Sequence, residues 1–207
     1  MSGLEVVGAI SAILGILDIT YKTWQSVEKD SKLPETFKEC ARKLPILRDT
    51  LKTCEEKLSP IESKIDAATR KAFKETLEHT EEQAEELQKI FKKTLREPAD
   101  SAFEQYKKLM KRLGKGKKVE ELMKSMSEDV KQVVDYVASK CAQPELSKTL
   151  DELMTELADM PSSIPEEPLP GYSFVNSGSG KQQNKTGSGQ ILDGNNGQHT
   201  FNFGKND

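Results

Sequence analysis

The chain changes character near residue 170, and no single fold suits both sides of that point. No asparagine precedes Asn176, and then six follow: Asn176, Asn184, Asn195, Asn196, Asn202 and Asn206. Eight of the thirteen glycines lie beyond Pro170, and the last glutamate is Glu167. Pro161, Pro165, Pro168 and Pro170 crowd the joint. A segment of this composition buries too little apolar surface to offset the entropy of ordering it. The expected organisation is a helical body over residues 1–160, a proline-rich linker over 161–170 and an Asn/Gly/Gln-rich tail over 171–207.

The body shows a helical period throughout. Residues 3 to about 28 read as a first helix, apolar nearly all round through Leu4, Val6, Val7, Ile10, Ile13, Leu14, Ile16, Leu17 and Ile19. An ordinary surface helix carries one apolar stripe, so this one is either sheathed by other helices or meant for lipid. Gly8, Ser11, Ala12 and Gly15 would let another backbone come close. Each glycine costs about 1 kcal/mol against alanine in a helix, so something other than helix propensity favours them.

Pro34 opens a second helix with Phe37, Cys40, Ala41, Leu44, Leu47, Leu51, Cys54 and Leu58 inward, and Pro45 should kink or restart it. A third runs from about 61 to 95 on Ile61, Ile65, Ala68, Ala72, Phe73, Leu77, Ala84, Leu87, Ile90, Phe91 and Leu95. A fourth, capped by Asp100 or Ser101, carries Phe103, Tyr106, Leu109, Met110 and Leu113. After a Gly114-Lys115-Gly116 loop, a fifth turns Val119, Leu122, Met123, Met126, Val130, Val133, Val134 and Val137 inward. Pro144 opens a sixth on Leu146, Leu150, Leu153, Leu157 and Met160. With no sustained period of two, the predicted fold class is all-α, an antiparallel bundle of five to six helices with a disordered, amyloid-competent tail.

Signs of catalysis are sparse. The two histidines, His79 and His199, have no nucleophile or metal partner at useful spacing. Gly114-Lys115-Gly116-Lys117-Lys118 follows no strand, which excludes a phosphate loop. A non-enzyme without metal or cofactor is expected. A net charge of −3 and a pI near 5.7 give no global electrostatic reason to bind nucleic acid. Three cysteines, Cys40, Cys54 and Cys141, with no C-x-x-C, read as buried thiols of a reducing compartment. Met1-Ser2-Gly3-Leu4-Glu5 lacks the positive region of a secretory signal. The uncharged run from Val6 to Leu17 is shorter than the roughly 18 residues a span needs. Together these suggest a cytoplasmic resting protein.

Lys107, Lys108, Lys111, Arg112, Lys115, Lys117 and Lys118 form a basic cluster. It reads either as an exposed helix end favoured by the helix dipole or as a site for anionic lipid headgroups. In the tail, Ser177-Gly178-Ser179-Gly180-Lys181-Gln182-Gln183-Asn184 returns nine residues later as Thr186-Gly187-Ser188-Gly189-Gln190-Ile191-Leu192-Asp193. A degenerate copy follows at Asn195-Asn196-Gly197-Gln198. Stacked chains would place these amides in ladders, with glycines at the bends. The other reading is a flexible low-complexity tail.

Ser2-Gly3-Leu4-Glu5-Val6-Val7-Gly8, Ile10-Ser11, Ile16-Leu17-Asp18, Leu33-Pro34-Glu35 with Phe37, and Leu44-Pro45-Ile46-Leu47-Arg48-Asp49-Thr50-Leu51 resemble the SesA-type domain of filamentous fungi. That domain occurs at the N-terminus of NACHT and other nucleotide-binding immune-like receptors and on small separate proteins. It is similar to the HeLo and HeLo-like cell-death domains, which are akin to the executioner domain of mixed lineage kinase-like proteins. The resemblance is close over residues 1–60 and architectural over 61–160. The tail is similar to fungal amyloid signalling motifs. Its nine-residue repeat favours the sigma type, and Gln190-Ile191-Leu192-Asp193-Gly194-Asn195 favours the pseudo-palindromic, necroptosis-like type.

The resemblance implies an effector of regulated cell death, of heterokaryon-incompatibility or immune type. A receptor with a matching motif would template the tail through Gly178, Gly180, Gly187, Gly189, Gln190, Ile191, Asn195, Asn196 and Gly197. The chain would self-assemble, and Leu4, Val6, Val7, Ile10, Ile13, Leu14 and Leu17 would then enter the plasma membrane. The alternative is a non-lytic adaptor whose bundle recruits a partner.

Overall fold

The helical period becomes six α-helices and one 3-10 turn, with no strand among the described residues. The computed structural model describes residues 5–26, 32–96, 101–114 and 117–164. The chain divides between Glu166 and Glu167, so every described residue belongs to the first unit, Met1–Glu166.

The helices are α1 (Glu5–Gln25), α2 (Glu35–Leu58), α3 (Ala67–Leu95), α4 (Ala102–Leu113), α5 (Val119–Lys140) and α6 (Pro144–Ala158). Pro34, extended at φ −55° and ψ 147°, precedes α2 rather than opening it. Pro144 is the first residue of α6, where its missing N–H is not needed. Pro45 neither stops nor restarts α2, which runs through it as one helix. An internal proline costs ~3 kcal/mol. Leu44, Leu47 and Leu51 are buried on either side, and each contributes about 1.5–3 kcal/mol, which offsets that cost.

The third helix begins at Ala67, not 61. Asp66 is its N-cap, accepting from the amides of Ala68 at 3.1 Å and Thr69 at 3.0 Å. The Thr69 hydroxyl, with these amides, holds the Asp66 carboxyl below its usual range. The cap fixes the chain before Ala67 in a non-helical conformation, and residues 62–64 form the short 3-10 turn. Ala68 and Ala72, expected inward, are exposed, as is Leu113 at the end of α4. Leu146 and Met160 are half-buried. Every core residue expected in α2 and α5 is buried.

Side-chain pairs give the directions. Asp18–Arg48 and Trp24–Phe37 set α1 antiparallel to α2. Phe73–Tyr136, His79–Asp129 and Gln83–Ser125 set α3 antiparallel to α5. Lys131–Asp151 and Ser147–Asp135 set α5 antiparallel to α6. The chain thus winds up and down, and α1 lies in the groove between α2 and α3.

Candidate functional site

The helix α1 buries six residues: Val6, Ile10, Ile13, Leu17, Thr20 and Trp24. Their spacing alternates four and three, the narrow seam of a coiled coil rather than a wide core stripe. Val7, Ala9, Leu14, Ile16 and Tyr21 are only partly covered. Gly8, Ser11, Ala12 and Gly15 are exposed, and Ile19 is 48% exposed. A Cβ added at Gly8 or Gly15 would meet nothing within 4 Å. No neighbour in this state therefore requires those glycines.

By length and composition the 21 residues of α1 suffice to cross a membrane, with mean hydropathy 1.4 over an 18-residue window, of which 28% is buried. That differs from the expectation based on the uncharged run alone, because Asp18 interrupts the run without lowering the window enough.

Polar and aromatic contacts at three places along its length hold α1. At its amino end the Val6 and Val7 amides donate to Glu62 Oε1 at 2.7 and 3.3 Å. Glu62 is 1% exposed, so a buried carboxylate faces the positive end of the helix dipole. The Arg70 guanidinium donates to the Glu62 and Ile65 carbonyls at 3.2 and 3.1 Å and steadies that turn. Midway, Ser11 bonds to Glu55, Arg48 donates to Asp18 at 3.3 Å, and Gln88 donates to the Ile16 carbonyl at 3.4 Å. Ser11, Asp18, Arg48 and Glu55 line a shallow groove of about 520 Å³ between α1 and α2. At the carboxyl end Trp24 packs against Phe37 and Phe91, with centroids 6.3 and 6.5 Å away.

The expected membrane-contact set therefore divides. Val6, Ile10, Ile13 and Leu17 form the buried seam, Val7 and Leu14 flank it, and Leu4 lies outside the described residues. The basic cluster divides as well. Lys107 pairs with Glu104 and sits over the Phe103 ring, Lys117 pairs with Glu86, and Lys118 donates to Ser162. Lys108, Lys111 and Arg112 are exposed, and Lys115 lies outside the described residues. The templating residues Gly178, Gly180, Gly187, Gly189, Gln190, Ile191, Asn195, Asn196 and Gly197 also lie outside them. So do Asp100 and His199.

His79 Nδ1 lies 2.7 Å from the Asp129 carboxylate on the surface. Among the described residues no group of three His, Cys, Asp or Glu is placed to hold a metal. Cys40 and Cys54 are buried and Cys141 is half-buried, all as free thiols. Burial pushes the Cys54 thiol up to about 12.

Glu62, Glu120 and Ser163 carry contacts that sequence reasoning missed. Glu62 falls within the stretch read as the start of the third helix, which in fact begins five residues later. Ser163 looked like linker, but it is fully buried and its amide donates to Glu120 Oε1 at 2.9 Å. Packing continues through Ile164, into the segment read as linker.

The described residues thus form an all-helical bundle whose first helix combines a buried seam with a length and apolarity sufficient to cross a membrane. The SesA family, described as an N-terminal domain on NACHT NTPase and P-loop NTPases, matches residues 10–133, and the chain belongs to that family. The match runs from Ile10 into α5, well past the first sixty residues, and leaves α6 outside. No curated protein and no solved structure matches the chain.

Proposed function

We propose that this SesA-family chain is an effector of fungal regulated cell death, held inactive by the clasped position of α1. A nucleotide-binding receptor with a matching motif would template residues 171–207 into a stacked β-assembly. Assembly concentrates the bundles, so their weak membrane contacts become multivalent. The helix α1 then leaves its groove and enters the plasma membrane, while Lys108, Lys111 and Arg112 meet anionic headgroups.

The observation that carries this reading is the surplus of α1. The seam and the half-buried residues beside it account for its packing, yet Ile19 is left exposed on the outer face, and Gly8 and Gly15 stand where no neighbour requires a glycine. The family's description as a domain on NACHT and P-loop NTPases supports a nucleotide-binding receptor upstream. The composition of the tail supports stacking.

The test is expression in fungal cells of the full chain beside a chain ending at Pro170. Killing by the full chain alone is expected, and equal killing by both would remove the tail's triggering role. The buried seam favours a second reading, in which α1 is simply core and the bundle is a non-lytic adaptor. Dye-loaded vesicles containing phosphatidylserine separate the two, since an adaptor releases no dye.

A further inference from the structure

Residues 160–164 are seated in the bundle and do not simply leave it. The Thr36 hydroxyl of α2 donates to the Pro161 carbonyl at 3.0 Å. The Ser163 hydroxyl lies 2.7 Å from the Tyr106 hydroxyl, and the Ser163 amide donates to Glu120. Tyr106 in turn accepts from the Val119 amide at 3.3 Å, so it ties this segment to the first turn of α5. All three groups are buried. Glu120 leaves its second oxygen without a hydrogen bond among the described residues. The Ser163 amide is therefore the hydrogen-bond donor that Glu120 has among the described residues, which ties the segment to α5.

From this seat a line of rings leads to α1. Tyr106 meets Phe37 edge-on with centroids 5.1 Å apart, and Phe37 meets Trp24 at 6.3 Å. Trp24 is the last buried residue of the α1 seam. Along the chain, the segment read as linker and tail follows directly on Ser163 and Ile164.

We propose that residues 160–164 are a strap that couples the C-terminal segment to α1: drawing Ser163 from its seat frees Tyr106, loosens Phe37 and releases the Trp24 end of the helix. The inference rests on reading α1 as the working helix and the tail as its input. Coupling of this kind needs one packed unit whose state both ends bias. The Ser163–Tyr106–Phe37–Trp24 contacts supply it. The helix α6 holds none of these groups, so it serves as the reference for a local opening.

The test uses the full chain in solution, without vesicles. Tyr106→Phe keeps the ring and removes the hydroxyl that holds Ser163. Ser163→Asp sets a second carboxylate beside Glu120. Trp24 is the only tryptophan, so its emission reports the far end directly, and amide exchange reports each helix. In Tyr106→Phe, exchange at Ser163 and at the last turn of α1 is expected to quicken together. The expected factor is roughly fivefold to tenfold, that of one lost buried hydrogen bond, with α6 unchanged. Trp24 emission is expected to shift to the red in Ser163→Asp.

Quickened exchange at Ser163 with α1 unchanged would overturn the coupling, and unchanged exchange at Ser163 in Tyr106→Phe would overturn the seat itself. If Ser163→Asp loses its helical circular dichroism, Tyr106→Phe decides alone. Dye release is not read here. A chain that shows this coupling but lyses no vesicle would keep the strap and lose only the lytic reading.

Discussion

The helices α1 and α5 are nearly equal in length, 21 and 22 residues, yet they use their apolar side chains differently. In α5 eleven residues are buried, and the valines and methionines that the helical period marks as inward are all among them. In α1 six are buried, although among the described residues α1 alone is apolar enough to cross a membrane. Burial explains the composition of α5. In α1 it covers one seam fully and the flanking residues in part, and it leaves Ile19 exposed, which is the feature the proposed membrane role would use. The glycines repeat the contrast. The helix α1 carries Gly8 and Gly15 where its packing would accept alanine, whereas α5 ends on Ala142 at φ +51°, where a glycine would be at ease.

The largest effects should come from the seams and should not distinguish the helices. Trp24→Ala is expected to cost about 3–5 kcal/mol and Met126→Ala about 2–5 kcal/mol in denaturant unfolding, since both side chains are essentially buried. A loss below about 1 kcal/mol for Trp24→Ala would mean α1 is not part of the resting core.

The clasp at Glu62 comes next, and it separates the two helices. Glu62→Ala removes a charge-assisted bond to the first turn of α1, so a loss of about 1.5–3 kcal/mol is expected. Amide exchange should quicken first in α1 and leave α5 protected. Uniform exchange across both helices would show that Glu62 supports the bundle as a whole and does not hold α1 in particular.

Smaller changes of opposite sign come from the glycine contrast. Gly8→Ala and Gly15→Ala should each stabilise the bundle by about 0.5–1 kcal/mol. Ala142→Gly should do so by about 1 kcal/mol, by relieving a left-handed alanine. All three raise the melting temperature. If α1 acts on membranes as proposed, only the α1 pair should reduce dye release, since those glycines lie on its exposed face.

How legible this was in the sequence depended on which force set each feature. Every inward residue expected in α2 and α5 is buried, because apolar periodicity sets those faces directly. The start of α3 was misplaced because Ile61 and Ile65 continue the period of α3 across a cap made by Asp66 alone. The strap was unreadable because Ser163 is small and polar, and its burial rests on partners 43 and 57 residues away. Glu62 failed for the same reason. Its partners are backbone amides 55 and 56 residues earlier, and no side-chain pattern marks a backbone amide. In α1 the sequence left two readings open, sheathed or lipid-facing, because apolar residues run nearly all round the helix and periodicity alone does not say which of them a neighbour covers.

Ile19 offers the most direct test of the claim that the outer face of α1 works on a membrane. It is nearly half exposed and outside the seam, so Ile19→Lys should change stability by no more than about 0.5 kcal/mol. Ile10→Glu, by contrast, would place a charge in the core. Dye release from phosphatidylserine vesicles is measured for the full chain and for Ile19→Lys, each seeded with aged assemblies of the full chain. Loss of release in Ile19→Lys at an unchanged melting temperature is the expected result. Equal release from both would contradict the account and leave α1 as an ordinary core helix.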